Sequence, residues 1–375
     1  MVTNDHPMHN STLTVNPGVV PPPAVDTGSL QRFLNRKRKT LTVDEYMEGI
    51  LHGNRTILSQ AITLVESSFP GHAPSAQEIV ERCLPHAGKS IRIGVTGVPG
   101  AGKSTFIEVF GNYLTTRGHQ LAVLAIDPSS ERSGGSILGD KTRMEKLSAN
   151  PCAFIRPSPS SGLLGGVARK TRETVFLCEA AGFDVIIIET VGVGQSETAV
   201  HSMTDFFLLL QIAGAGDELQ GVKRGVMEMA DMIAVNKADG NNFDKACQAQ
   251  AQYCSALQLF PQTVSGWQPQ TTICSAITRL GMDTIWNRIQ QYKQLTKSNG
   301  YFEKRRLQQA KYWMNEYIRN SLVHHFYHHP EIEALLPEYE QKIVENHMSS
   351  FAAAQTLLNS YFTRDQFILS HRKSS

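Results

Sequence analysis

The sequence predicts an α/β fold, a doubly wound and mostly parallel sheet with helices on both faces. Three observations carry this. From Ile91 onward, apolar runs of strand length alternate with helical patterns, and such continuous runs suit parallel strands covered on both sides. Gly97-Val98-Pro99-Gly100-Ala101-Gly102-Lys103-Ser104 fits the phosphate-binding pattern G-x-x-x-x-G-K-[S/T], between one such run and a helical stretch. Asn236-Lys237-Ala238-Asp239 closes a later strand candidate with the spacing N-K-x-D.

The elements follow in order. Residues 1–40 hold Pro17 and Pro21-Pro22-Pro23 among small residues and read as a disordered tail. Thr42-Val43-Asp44-Glu45 has capping-box spacing. Two short helices follow, broken near Gly53-Asn54, and Ile57, Leu58, Ala61, Ile62 and Val65 form a stripe at helical spacing. Pro70-Gly71 and Pro74 mark a loop, and Ala76 to Leu84 is a third helical piece, so 41–88 is a helical extension. The strand candidates are Ile91–Gly97, Leu121–Asp127, Ala153–Pro157, Asp184–Thr190, Phe206–Ala213, Met232–Asn236 and Thr272–Ser275, within a domain spanning 89–296. Residues 297–375 show helical patterns only: a long helix over Arg305 to Leu322, punctuation at Pro330 and Pro337, and a last apolar face of Phe351, Leu357, Leu358, Tyr361 and Phe362. That face needs a partner, and a dimerisation arm is the expectation.

Composition narrows the function. Of 375 residues 41% are apolar, enough for a large core, and the net charge of +2 gives no electrostatic reason to expect nucleic acid. The run Arg36-Lys37-Arg38-Lys39 is too short to change that. The six cysteines show no C-x-x-C pairing and suit a reducing compartment. No apolar run reaches the roughly 18 residues of a membrane span. With no secretory h-region, and no Arg before Arg32 to suggest a presequence, the expectation is cytoplasmic, with the mitochondrial matrix as the alternative.

The glycines of the phosphate loop let backbone N–H groups and a helix N-terminus wrap phosphate oxygens. Residues Gly97 to Thr105 are thus the candidate cradle, with Lys103 for the β- and γ-phosphates and the Ser104 hydroxyl for Mg²⁺. Asp239 can accept from both N1–H and N2–H₂ of guanine. Adenine lacks the N1 donor and would leave the carboxylate half unpaired, at about 1–3 kcal/mol. Asn236 would brace that loop, the Lys237 stem would lie over the base, and Ser275-Ala276 would add a further base contact. Glu189 closes the strand Asp184–Thr190 in Glu189-Thr190-Val191-Gly192, where a carboxylate can hold Mg²⁺ and the Gly192 N–H can sense the γ-phosphate. With Ser104, Asp127, Asp140 and Glu189 the site has enough hard oxygens for that ion. Val193 stands where a water-orienting Gln is common. Gln195 is the candidate substitute, so free hydrolysis should be slow, on the order of 10⁻³ s⁻¹.

At these motifs the sequence resembles P-loop GTPases that carry Glu in place of Asp at that strand end. Within them it is similar to the MeaB / ArgK / methylmalonic aciduria type A group. The residues carrying this are GVPGAGKST (Gly97–Thr105), DPSS (Asp127–Ser130), GGSILGDKTRM (Gly134–Met144), Ile155–Val167, ETVGVGQSE (Glu189–Glu197), AGAGDELQGVKRGVMEMAD (Ala213–Asp231) and NKAD. The resemblance runs from about Thr56 into the C-terminal helices. It implies a GTP-hydrolysing chaperone that gates adenosylcobalamin delivery to methylmalonyl-CoA mutase, or a related acyl-CoA mutase, and protects or reactivates it. It further implies a homodimer joined through C-terminal helices and Mg²⁺ on Ser104, Asp127, Asp140 and Glu189. A third mobile loop, Gly214 to Lys223, would carry Asp217, Glu218 and Lys223. Partner binding would complete the catalytic set Lys103, Glu189, Gln195 and Lys223.

Two other readings follow from the same residues. A metallochaperone GTPase would use metal ligands near the nucleotide loops. The pairs His324/His328 and His325/His329 have metal-sharing spacing, but Pro330 follows at once and helix-end histidines are the expectation. A kinase acting on a transport protein would need an acceptor site, for which no motif is found. No Asp-x-His-x-x-Gly segment occurs, so the chain reads as a helper of the mutase and not the mutase itself.

Overall fold

A computed structural model describes residues 41–127, 144–159, 164–190, 196–214 and 224–372. Among them seven strands form one parallel sheet: β1 (Ile91–Gly97), β2 (Leu121–Asp127), β3 (Ala153–Pro159), β4 (Val185–Thr190), β5 (Phe206–Ile212), β6 (Met232–Asn236) and β7 (Gln270–Ile273). Their order is β3-β2-β4-β1-β5-β6-β7, and every pairing is parallel.

The continuous apolar runs are divided by the pleat. Ile91, Ile93 and Val95 enter one core with Phe106, Phe110 and Leu208. Ile186, Ile188 and Phe207 enter the other. The first core is closed by α4 (Lys103–Thr115) and by Trp286 and Tyr292 of α10 (Met282–Ser298). The second is closed by the N-terminal helices α1 (Val43–Leu51), α2 (Arg55–Glu66) and α3 (Ala73–Cys83), by α6 (Leu164–Ala180), and by Val200 of α7 (Ser196–His201). Thus the stripe Leu58, Ala61, Ile62 and Val65 is buried against the domain. Asn54 caps α2 by accepting from the Thr56 and Ile57 N–H groups.

The remaining helices around the sheet are α5 (Glu145–Ser148), α8 (Arg224–Met229) and α9 (Phe243–Leu257). Beyond the sheet come α11 (Tyr301–Tyr327), α12 (Pro330–Val344) and α13 (Ser350–Arg372).

Several sequence expectations are corrected. Pro74 lies in the first turn of α3, where its missing N–H costs nothing, and not in a loop. β7 is Gln270–Ile273, two residues earlier than expected, because a half-buried edge strand lacks a long apolar run to mark it. Pro337 sits inside α12 instead of breaking it. Of the last apolar face, Leu357 and Tyr361 pack on Ile332, whereas Phe351 remains 87% exposed. Pro157 and Pro159 fall on β3, which has β2 on one side only, so their missing N–H groups are tolerated there.

Charge is buried where the C-terminal arm meets the sheet. Arg92 of β1 holds Glu179 of α6 through two bonds of 2.9 Å. Glu179 also accepts from Ser90 Oγ and the Gly88 N–H. Burial pushes the Glu179 carboxyl up, but Arg92 and these donors outweigh it and hold it below its ordinary value. Arg306 of α11 binds both oxygens of Asp205, at 2.8 and 2.6 Å, and the carbonyls of Gly88 and Ser90. Asp205 in turn accepts from the Arg92 N–H. Every charge in this set is paired, which burial of this degree demands.

His201, beside Arg305, is pushed down to about 3, by burial first and by the Arg305 charge second. Arg305 Nη2 donates to His201 Nε2 at 3.1 Å, which assigns the proton to Nδ1. Below pH 6.5 the unfolded chain takes up a proton that the folded chain refuses, so this residue's contribution declines as pH falls from 6.5 toward 3. His201→Gln should therefore gain on the wild type by about 1–2 kcal/mol between pH 6.5 and 5, read as the difference in urea unfolding free energies. Asp231, pushed up to about 6 by burial, runs the opposite way and is common to both proteins.

Candidate functional site

The C-terminal ends of β1, β4 and β6 bring the candidate residues together. β1 runs into the glycine loop, and the loop becomes α4 at Lys103. Gly97 has φ +152°, and a Cβ there would lie 2.2 Å from the Leu210 carbonyl of β5. Gly100 and Gly102 have φ +82° and +84°, the left-handed region that glycine adopts without penalty. At Gly102 a Cβ would approach Asn236 Nδ2 to 3.1 Å, so the loop and the end of β6 are in close contact. Asn236 Nδ2 also donates to the Ala101 carbonyl at 2.8 Å.

Lys103 is nearly buried, and its Nζ donates to the carbonyls of Gly97 (2.8 Å) and Val98 (3.3 Å). Burial lowers its pKa, while the carboxylates of Glu189 and Glu197 act against that and favour the ammonium. Ser104 Oγ donates to Glu189 Oε1 at 3.0 Å, linking α4 to the end of β4. Thr190 Oγ1 donates to Thr96 Oγ1 at 2.8 Å and ties β4 to β1 one residue before the loop.

On the base side, Asp239 Oδ2 accepts from Ser275 Oγ at 2.5 Å, and the Ala238 N–H donates to the Cys274 carbonyl. Lys237 has φ +60°, and its Cε lies 3.8 Å from where a Gly102 Cβ would stand. The Lys237 stem therefore flanks the phosphate loop. Ala276 is buried beside Ser275, on the turn that follows β7.

Of the remaining candidates, Asp127 ends β2, paired with Pro159. Asp140, Gly192, Gln195 and Lys223 lie outside the described residues, as does the loop beyond Gly214. The sequence reading missed Glu197, which is 4% exposed in the first turn of α7. The only signal was its place at the end of ETVGVGQSE, and spacing does not reveal that it is buried.

The histidines at the C-terminal end of α11 and just beyond it behave as structural groups. His324 and His328 stack with centroids 4.0 Å apart, and His328 Nδ1 bonds the His324 carbonyl. His325 Nδ1 is 2.7 Å from the Tyr361 hydroxyl. Among the described residues no group of three or more His, Cys, Asp or Glu could hold a metal ion. A recess of about 950 Å³ between α2 and β3, walled by Arg55, Thr63, Glu66 and Arg156, shares no residue with the phosphate loop.

Residues 58–331 match the family model described as methylmalonyl Co-A mutase-associated GTPase MeaB. The chain is 47% identical to the GTPase ArgK of Escherichia coli K12 over 286 residues, 76% of this chain and 86% of that protein. It is 45% identical over 332 residues to the mouse protein named methylmalonic aciduria type A homolog, mitochondrial, covering 86% and 80% of the two chains. A crystal structure titled LAO/AO transport system kinase is similar with a TM-score of 0.69 at 37% identity, over 86% of this chain and 97% of that one. No helix among the described residues is long and apolar enough to cross a membrane.

The contact at Gly97 gives a direct test. Gly97→Ala forces a methyl group into the Leu210 carbonyl, so either β1 shifts from β5 or the loop deforms. We expect a loss of about 2–4 kcal/mol in urea unfolding and no measurable binding of a fluorescent GDP analogue.

Proposed function

The chain belongs to the MeaB family of GTPases, and on that premise we propose that it is a GTP-driven chaperone of an adenosylcobalamin-dependent acyl-CoA mutase, methylmalonyl-CoA mutase first. In this reading it gates delivery of the cofactor to the mutase and protects or reactivates it. The observation that carries the reading is the family match over 58–331, which spans every nucleotide-facing loop and reaches into the C-terminal arm.

The guanine nucleotide fits the loops described. Gly97 to Thr105 offer backbone donors at the start of α4, and Lys103 exchanges the Gly97 and Val98 carbonyls for phosphate oxygens. A carbonyl pair is a weaker partner for an ammonium than a phosphate, so the exchange favours the bound state. Asp239 takes the base edge, Asn236 and Lys237 hold that loop against the phosphate loop, and Ser275-Ala276 bound the base. A divalent ion also fits, because Ser104 and Glu189 already bring two hard oxygens within 3.0 Å. Mg²⁺ there would neutralise charge on the transferring phosphoryl group. Asp127 and Asp140 are the further ligands we assign, and Gly192, Gln195 and Lys223 the residues toward the γ-phosphate.

The C-terminal arm supports a homodimer. Along α11, Met314, Tyr317, Ile318, Leu322 and Val323 are each about half exposed, and Phe351 of α13 is 87% exposed. Such a surface favours burial against a second copy.

Glu189→Gln keeps the shape and removes the charge, and should lower kcat by about 10²-fold with the Mg²⁺ dependence shifted to higher concentration. The decisive experiment is GTP hydrolysis by the purified protein, alone and with methylmalonyl-CoA mutase. We expect a basal rate on the order of 10⁻³ s⁻¹, raised many-fold by the mutase. An unchanged rate with GTP binding retained removes this partner and leaves the GTPase.

A further inference from the structure

β1 and β4 separate at the nucleotide site. Their pairing runs from Ile91↔Val185 to Val95↔Glu189 and stops there. On its other side β1 stays paired with β5 as far as Gly97↔Leu210, and β4 stays paired with β2 as far as Ile126↔Thr190. The sheet thus splits along one seam at its C-terminal rim. The phosphate loop belongs to the half held by β5, and Glu189 to the half held by β2. Beyond the last backbone pair, side chains reach across the seam: Ser104 Oγ donates to Glu189 Oε1 at 3.0 Å, and Thr190 Oγ1 to Thr96 Oγ1 at 2.8 Å.

Side chains alternate along a strand, so the two bonds lie on opposite faces of the sheet. Val95, opposite Glu189 in the register, and Ile187, two residues before it, enter the core beneath α4. Ile188 enters the other core, and Thr190 shares its side. That side is closely packed: a Cβ on Gly94 would meet Val200 Cγ1 of α7 at 3.0 Å and Phe207 Cδ2 at 2.7 Å. Thr96 is 1% and Thr190 0% exposed. A pair of valines would have the same shape, suit the strands as well and bury no hydroxyl, at little or no net cost. Stability alone does not call for the two hydroxyls. What they add is direction: one bond of fixed length between the residue before Gly97 and the residue after Glu189.

We propose that Thr96 and Thr190 are positioning residues for GTP hydrolysis, their bond setting the gap between the phosphate loop and Glu189. The Ser104–Glu189 bond cannot set that gap throughout the reaction. Its two oxygens are the ones assigned above to the divalent ion, and the direct bond is exchanged when the ion binds. The threonine bond lies on the reverse face and need not be exchanged, so it can hold the seam in every nucleotide state. A carboxylate on one half of the sheet that must act with a hydroxyl on the other needs their spacing fixed to about 0.5 Å. This inference rests on GTP hydrolysis alone and needs no mutase, so it stands or falls separately from the partner proposed above.

The test uses the full chain without partner. Thr96→Val, Thr190→Val and the double variant keep the shape and remove the bond, whereas Thr190→Ser keeps the bond with less packing. The double variant should unfold at a urea concentration close to that of the wild type. In EDTA it should bind a fluorescent GDP analogue within about twofold of wild type. Its kcat for basal GTP hydrolysis should fall about tenfold, with KM within about twofold. Slowing the release of the GDP analogue should require roughly fivefold more Mg²⁺, a readout independent of turnover. Either single valine variant should lose as much kcat as the double, since each removes the same bond. Thr190→Ser should be less stable than the double valine variant yet more active, the reverse of the order that a purely structural role gives. A double variant with kcat and Mg²⁺ dependence within about twofold of wild type overturns the proposal. So do single losses that multiply in the double. If the double variant fails to fold, Thr190→Val against Thr190→Ser carries the same comparison of kcat and Mg²⁺ dependence.

Discussion

The molecule depends on the close approach of Gly97 to the Leu210 carbonyl. β1 lies between β4 and β5 and is buried along its whole length. The last residue of such a strand can turn into a phosphate loop only if nothing projects toward the neighbouring strand. With a Cβ, position 97 would stand 2.2 Å from that carbonyl. Its absence lets the chain leave the sheet at once and place Lys103 and Ser104 over the end of β4, where Glu189 waits. The Ser104–Glu189 bond and the Thr96–Thr190 bond then lock two adjacent strand ends at the point where charge is handled.

The opposite ends of the same strands are held by a different chemistry. Arg92, Glu179, Asp205 and Arg306 form a buried set in which each charge has a partner. Apolar packing would hold α11 on the domain in many registers. Four donors on Arg306, spent on two carboxylate oxygens and two carbonyls, accept one. This makes the first turns of α11 part of the nucleotide-binding domain in every physical sense. The apolar residues exposed along α11 begin only beyond that anchor.

What could be read from the sequence follows from which signals are local. Buried parallel strands announce themselves, so β1, β2 and β6 match the apolar runs to the residue. β7, with Gln-Thr-Thr-Ile, has no such run, and the sequence signal there lies two residues beyond the strand. Pro74 and Pro337 were read as breakers, yet one occupies a first helical turn and the other is carried within a helix. The phosphate loop and N-K-x-D were legible because backbone geometry and base chemistry dictate residue types at fixed spacing. Glu197 was not, since a glutamate near the start of a helix usually faces water, and only the Gly94 contact reveals that this helix lies against β1. Pairings such as Arg92 with Glu179 or Gln309 with Thr204 span long stretches of chain, and no periodicity encodes them.

These two halves constrain how the protein can respond to its nucleotide. β1 and β5 carry the phosphate loop at one end and the Arg306 anchor at the other, and a close-packed parallel sheet does not change length or register by small steps. A difference between nucleotide states must then be taken up by elements that are short and held at their ends. α7 is such an element. It is pressed on Gly94 along its side and is held from α11 through His201, Ser202 and Thr204. His201 takes part as a neutral acceptor, kept so by burial and by Arg305, which keeps this contact insensitive to pH across the neutral range. The arm is thus linked to the C-terminal end of α7 by hydrogen bonds of fixed direction, and those carry a displacement that apolar packing alone would absorb.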